Sequence, residues 1–448
     1  MHNQLSECAM KEDTSFSSRK QVDMLNLNSL NAVNGAKYSQ RFIKPLYDTY
    51  CFSALPQTIE FLLTGEGEVA LPRDCFRGLP TKYDKVILFF VDGFGWRFFQ
   101  QYAEIYPFLK TLLRQGTVSQ MTSQFPSTTA AHATCIHTGL NVGQSGVYEW
   151  NYYEPLVDEV ITPLLFAYAG EKKRDSLKRS GIPVEAFFPP QTLYQKLQAK
   201  GITSYVFQHE SYTPSTFSDI VYKGATVLSF KRLSEALSNL IELVITDTAP
   251  KTYYFLYFDK LDAISHNYGP ESHQFKETVG TFLRMMEELF YKQLSGKVGQ
   301  TLFILTADHG QVEVDARKTF YLNKQSINIE QYLQRNQKGK LLVPAGSARD
   351  MFLHVKEERI DEAVVLLQKH LSDIAEVYYT EQLVAQHFFG STQPSRNFLA
   401  RVGNVVILPY QYETVWWYEE GKFEMHFKGH HGGLTPEEME IPLLLLPL

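Results

Sequence analysis

Thr301-Leu302-Phe303-Ile304-Leu305-Thr306-Ala307-Asp308-His309-Gly310 decides how this chain is read. An apolar run with the length of a buried strand ends, and an acid and an imidazole follow side by side, with glycine behind them. In α/β folds, ligands bind beyond the carboxyl ends of the strands. Aspartate and histidine placed there can grip a metal through oxygen and nitrogen. Upstream, Lys85-Val-Ile-Leu-Phe-Phe-Val91 is a second apolar run, and it too ends in an acid and glycine, Asp92-Gly93-Phe94-Gly95. Continuous apolar strands of this kind suit a sheet covered on both faces.

Between and beyond these runs the pattern alternates. A helix is expected over about 96–115, from Trp96 to Gln115, with Gly116 as its stop. Ile202–Phe207 and Tyr253–Phe258 read as buried strands, preceded by helical patterns at about 190–200 and 231–246. A long amphipathic helix is expected over about 272–294, with Ser272 as its N-cap. Strand and helix in turn give a largely parallel sheet with helices on both faces. Residues 312–425 break the rhythm: Asp350–Val355 reads as a strand, Glu358–Leu371 as a helix and Ala375–Tyr379 as a strand. The expected division is a loose N-terminal extension over 1–40, an α/β core made of 41–311 and 426–448, and an inserted α/β cap over 312–425. A second overhanging segment is expected at 144–190.

The 448 residues carry 14% aromatic and 21% charged side chains, which is the balance of a globular chain. A formal net charge of −6 argues against a general nucleic-acid coat. It leaves room for a local positive site, because bound metals invert the local field. The N-terminus has no basic n-region and no apolar h-region, so no signal peptide is read there. No stretch reaches the ~18 apolar residues of a membrane span. Cys8, Cys51, Cys75 and Cys135 have no paired spacing. These features set a cytoplasmic expectation, with signal-independent export left open.

Three further segments carry chemistry. Phe125-Pro126-Ser127-Thr128-Thr129-Ala130-Ala131-His132 leads into a short helix expected over 129–137, before Thr138-Gly139. A hydroxyl at that first turn would sit where free N–H groups favour an anion, and a metal-bound threonine oxygen can become a nucleophile. Ser127 or Thr128 could equally be a plain helix cap. In Asp259-Lys260-Leu261-Asp262-Ala263-Ile264-Ser265-His266 the spacing puts Asp262 and His266 on one helical face, as a shared metal or a solvated acid–histidine pair would need. Asp259 is a lesser candidate. Gly429-His430-His431-Gly432-Gly433 sets two histidines in a glycine-rich loop before Ile441–Leu448, itself read as a buried strand. There the backbone can approach a ligand closely. Each fragment alone has an ordinary reading; a doubly wound sheet would gather them all on one edge.

Together these motifs resemble the alkaline phosphatase superfamily, and within it the type I phosphodiesterase/nucleotide pyrophosphatase family, from about residue 84 to 448. The resemblance implies an alkaline-phosphatase-like three-layer α/β/α sandwich with a mostly parallel central sheet and an inserted small α/β cap. It implies two divalent metal ions, zinc by preference and manganese as an alternative. One would be held by Asp92, Asp308, His309 and the nucleophile, the other by Asp262, His266 and His431. His431 is preferred to His430 because the family's histidine directly precedes glycine. Thr129 matches the nucleophile by its distance to Thr138-Gly139, with Thr128 as the alternative. His132 stands where the family commonly places an asparagine that holds a phosphate oxygen, and is expected to bind substrate in its place. The implied activity is hydrolysis of phosphodiester or pyrophosphate bonds, nucleotides included, through a phospho-threonine intermediate. The alternatives are a phosphomonoesterase or phosphotransferase on the same scaffold, and a non-catalytic regulatory protein with a relic site. Tyr148, Trp150, Asn151 and Tyr152 are either a base-stacking pocket or the packed core of a loop, and the second reading is preferred.

Overall fold

The computed structural model describes residues 25–448. Its centre is a seven-stranded sheet of Lys85–Val91 (β1), Thr117–Thr122 (β2), Thr203–His209 (β3), Thr226–Phe230 (β4), Thr252–Phe258 (β5), Thr301–Thr306 (β6) and Glu440–Pro447 (β7). The spatial order is β2-β7-β6-β1-β5-β3-β4. β1 pairs in parallel with both β5 and β6, whereas β7 runs antiparallel between β6 and β2.

Side-chain alternation along β1 explains the layers. Phe89 points to one face, against Phe290 and Phe303; its neighbour Phe90 points to the other, against Phe52 and Phe255. Both faces are therefore apolar, and each is covered by helices. One cover includes Leu55–Thr64, Thr129–Thr138 (α1) and Leu193–Ala199. The other includes Trp96–Tyr102, Pro107–Gln115, Lys260–Tyr268 (α2) and His273–Met285. The result is the α/β/α sandwich expected from the alternating pattern.

The helix expected over 96–115 is two helices. Tyr106 is extended and Pro107 opens the second, because proline lacks an N–H and disfavours helical backbone in the residue before it. Ser272 does cap its helix, accepting from Phe275 N at 3.2 Å. That helix runs to Met285, widens into a π segment over Met286–Tyr291 and closes with Lys292–Leu294.

The loose extension expected over 1–40 needs correction where it can be examined. Residues 1–24 lie outside the described residues. From residue 25 the chain is packed: Asn26 N donates to Val118 O at 2.8 Å, and the helix Leu27–Gly35 lies against β2. Its polar N-terminal sequence is misleading because Asn26 and Ser29 are buried, bonded to Ser119 Oγ and Gln120 N.

The inserted cap has an apolar cluster of its own, from Val312 to Met425. Its antiparallel sheet places Val405–Pro409 between Met351–Leu353 and Ala375–Tyr379, with the helix Ile360–Leu371 packed on it. The 144–190 segment forms a second small sheet, Tyr152–Glu154, Glu159–Thr162 and Ala167–Tyr168. A buried Arg401–Glu154 ion pair, 2.6 Å, ties the two overhanging segments together.

Candidate metal centre

The strand ends bring the sequence motifs to one place. Asp92 follows β1, Asp308 and His309 follow β6, and α2 follows β5 and carries Asp262 and His266. Two close contacts hold the loops after β1 and β6 together and seat the second against the helix Pro436–Met439. A Cβ on Gly95 would lie 2.5 Å from Gly310 Cα, and one on Gly310 would lie 2.1 Å from Glu437 O. Gly310→Ala is therefore expected to cost about 2–3 kcal/mol as overpacking, visible as a lowered melting temperature; an unchanged melting curve would show that the loops can move apart.

Asp92, Asp308 and His309 form one trio whose ligand atoms lie within 4.8 Å of one another, and Asp262, His309 and His431 form another. His309 Nε2 is 3.3 Å from Asp92 Oδ1 and 3.2 Å from Asp308 Oδ2. His431 Nε2 is 3.6 Å and His266 Nε2 3.3 Å from Asp262 Oδ1. His309 stands between the two groups, its ring stacked on His431 at 3.5 Å.

Each of the three imidazoles is oriented in the same manner. Nδ1 of His309, His431 and His266 bonds the carbonyls of Gly310 (2.9 Å), Ser127 (2.9 Å) and Gly429 (2.7 Å). Nδ1–H donation to a carbonyl leaves the Nε2 lone pair free, the usual arrangement for a metal-binding histidine. Burial, and then neighbouring imidazoles, hold His309 and His431 well below the ordinary histidine range, so both are neutral and able to ligate.

The carboxylates show the complementary sign. Asp92 Oδ1 and Asp308 Oδ2 are buried without a hydrogen-bond partner. Burial pushes Asp308 up to about 7 and raises Asp92 and Asp262, with Asp308 adding to the rise at Asp92. Unpartnered buried carboxylate oxygens facing neutral imidazole nitrogens are a donor set that fits divalent cations. These residues fit the metals that the motifs imply.

Thr129 is the first residue of α1, with Oγ1 3.4 Å from both Asp92 Oδ2 and His309 Nε2. Thr128 sits at the N-cap, makes no side-chain cap bond, and turns its hydroxyl to the Glu149 carboxyl instead. Ser127 Oγ donates to Gly433 O.

The substrate role expected for His132 is corrected. The ring is buried, its Nδ1 bonds Thr128 O at 2.8 Å, and its Nε2 accepts from Gln124 N at 2.9 Å. Burial lowers it to about 3, so it is a neutral core histidine with no hydrogen left to offer a phosphate. Asp259 is held by Tyr212 and Lys260. Tyr148 and Tyr152 are packed in the interior, while Trp150, 43% exposed, lines the cavity over the metal cluster. That cavity, about 560 Å³, is also lined by Thr129, Asp262, His431, Trp416 and Phe427.

Two functional neighbours had not been singled out. Tyr257 OH donates to Asp92 Oδ2, and Gln311 Nε2 donates to Asp262 Oδ1. Tyr257 reads as core within an aromatic strand. Gln311, a polar residue directly after the Asp308-His309-Gly310 motif, carried a usable signal.

A mostly parallel sheet with paired Asp/His trios near its strand ends and a threonine helix beside them is the arrangement of the alkaline phosphatase superfamily. The model of the type I phosphodiesterase / nucleotide pyrophosphatase family matches residues 86–434, and the chain belongs to that family. Ectonucleotide pyrophosphatase/phosphodiesterase family member 3 of Rattus norvegicus is 25% identical over 269 residues, covering 57% of this chain and 28% of the relative. Venom phosphodiesterase CdcPDE of Crotalus durissus collilineatus is 24% identical over 260 residues, covering 55% and 29%. The matched stretch thus spans less than a third of these relatives' length. Among solved structures, murine ectonucleotide pyrophosphatase/phosphodiesterase 5 superposes with a TM-score of 0.58 at 17% identity, covering 80% of this chain and 87% of that one.

These relatives overturn the cytoplasmic expectation. They are by name ecto-enzymes and a venom enzyme, and a missing leader in this stretch of sequence carries no weight against that. Among the described residues, no helix is long and apolar enough to cross a membrane.

Proposed function

We propose that this chain hydrolyses phosphodiester or pyrophosphate bonds, nucleotides among its substrates, with Thr129 as nucleophile. The observation that carries this reading is the Thr129 hydroxyl at a helix start, 3.4 Å from an aspartate oxygen and an imidazole nitrogen. A related murine protein is described as inactive as a threonine-to-alanine variant and is seen in complex with AMP, which agrees with this role. In this reading Asp92, Asp308, His309 and Thr129 hold one divalent ion, and Asp262, His266 and His431 hold the other. Zinc is preferred, and mixed carboxylate–imidazole sets also take manganese. When bound, the two ions supply Lewis-acid stabilisation to the attacking and leaving oxygens.

The chain's own groups do the rest. Three carboxylates against two divalent ions leave about one positive charge, which suits an anionic ester. The first-turn N–H groups of α1, which opens at Thr129, would be available to equatorial phosphoryl oxygens. Thr129 Oγ bonds to phosphorus as the ester P–O bond breaks. Its proton has the Asp92 carboxylate as an acceptor, at the same 3.4 Å as the His309 imidazole, and that carboxylate is fixed by Tyr257 OH. The leaving oxygen takes a proton from solvent, and water then cleaves the phospho-threonine, restoring the hydroxyl. Every one of these groups lies within 41–311 or 426–448, and the 312–425 cap adds Trp416 to the cavity lining.

The test is a pair of rates. With Zn²⁺ or Mn²⁺, purified protein is expected to cleave a synthetic phosphodiester faster than the matching monoester, and a chelator is expected to abolish both. A faster monoester would favour the phosphomonoesterase reading. Hydrolysis of neither would leave a regulatory protein with a relic site.

A further inference from the structure

We propose that Gln311 is a positioning residue that sets the affinity of the second metal position, and that it couples this position to the first. The inference rests on the two-metal reading above. Asp308 and His309, in the first ligand set, and Gln311 lie within four consecutive residues of one loop. The Gln311 amide Nε2 donates to Asp262 Oδ1, the oxygen that faces both His266 Nε2 and His431 Nε2, and also reaches Asp262 O at 3.3 Å. The amide therefore fixes the carboxylate's rotation.

Gln311 is itself held rigidly. Its carbonyl accepts from Arg97 Nη2 at 2.8 Å, and the preceding Gly310 N donates to Glu438 O at 2.9 Å. Its side-chain oxygen is buried without a partner, wedged where a Cβ on Gly429 would come within 2.5 Å. A buried amide that leaves one of its own acceptors unsatisfied carries a cost, and its one strong bond goes to a ligand carboxylate. Outer partners of this kind typically change metal affinity by about 10–100-fold. Because the loop that carries Asp308 and His309 also carries this donor, ordering of the loop by the first ion presents Asp262 to the second.

The experiment titrates metal-free protein with Co²⁺, following heat and the visible absorption of the bound ion. Wild type is expected to bind two equivalents. Gln311→Met, which keeps the length and removes the donor, is expected to weaken the second equivalent about 10–100-fold, with the first changed less than about threefold and the second-site absorption band altered. Gln311→Asn, which keeps an amide but withdraws it by one methylene, is expected to do the same and stands in if the methionine variant does not fold. Equal weakening of both equivalents, or no change in either, would overturn the positioning role. Fewer than two equivalents in wild type would instead overturn the two-metal reading on which it rests.

Discussion

Thr129→Ala is expected to lower kcat/KM on a phosphodiester by at least about 10³-fold, on the order of 4 kcal/mol of transition-state stabilisation. The proposed nucleophile is removed, while His309 keeps Asp92 and Asp308 at 3.3 and 3.2 Å. Metal content should therefore fall far less than activity. Stability should change by no more than about 1 kcal/mol, because the substitution removes one partly buried hydroxyl at the first helical position, where alanine is well tolerated. Thr129→Ser, which restores an oxygen, should recover part of the rate. The neighbouring hydroxyl is the control: Thr128 faces Glu149 rather than the metal cluster, so Thr128→Ala should leave most of the activity. Turnover unchanged in Thr129→Ala, with loss in Thr128→Ala, would transfer the role to Thr128.

The second large effect is a reversal of sign. In metal-free protein, Asp308→Asn is expected to be more stable than wild type at pH 8, by up to about 4 kcal/mol. The folded carboxyl is pushed from 3.8 up to about 7, chiefly by burial. Between those values the native state holds a proton that the unfolded state has lost, so this group's contribution falls as pH rises through the window and is fully lost above about 7. The buried histidines act in the opposite sense below their ordinary range, which is why the variant is compared with wild type at each pH rather than wild type with itself. Asparagine keeps an oxygen to accept from Gly93 N (3.2 Å) and His309 N (3.0 Å), and turns an amide toward the imidazole. Adding Zn²⁺ should reverse the order, because a cation at the first position stabilises most the chain that keeps that position's full donor set. Thermal melts with chelator and with metal across pH 5–8 read the effect. An asparagine variant less stable than wild type without metal at pH 8 would show that the carboxylate is satisfied by the protein alone.

Much of this site was legible because its residues sit at strand ends. Apolar runs such as Leu302–Leu305 mark buried strands, and the acid and imidazole after them have no packing purpose. The strands that escaped notice are those with mixed chemistry. Thr117–Thr122 is mostly polar yet wholly buried, since Thr117 Oγ1 and Ser119 Oγ find partners on Cys75 O and Asn26. Thr226–Phe230 is an exposed edge, so no apolar run announces it. His132 shows the reverse error. Its spacing from Thr129 matched a ligand-binding position, but spacing does not reveal that the ring turns inward to Gln124 N and Thr128 O. Gln311 and Tyr257 act through other side chains, across 49 and 165 residues of sequence, and only the folded chain brings those partners together.

The central claim is that the two Asp/His groups hold two cations beside Thr129. Anomalous scattering from crystals grown with zinc tests it most directly. The account predicts two peaks, one among Asp92, Asp308, His309 and Thr129 and one among Asp262, His266 and His431. A single peak, or none at these side chains, would contradict it.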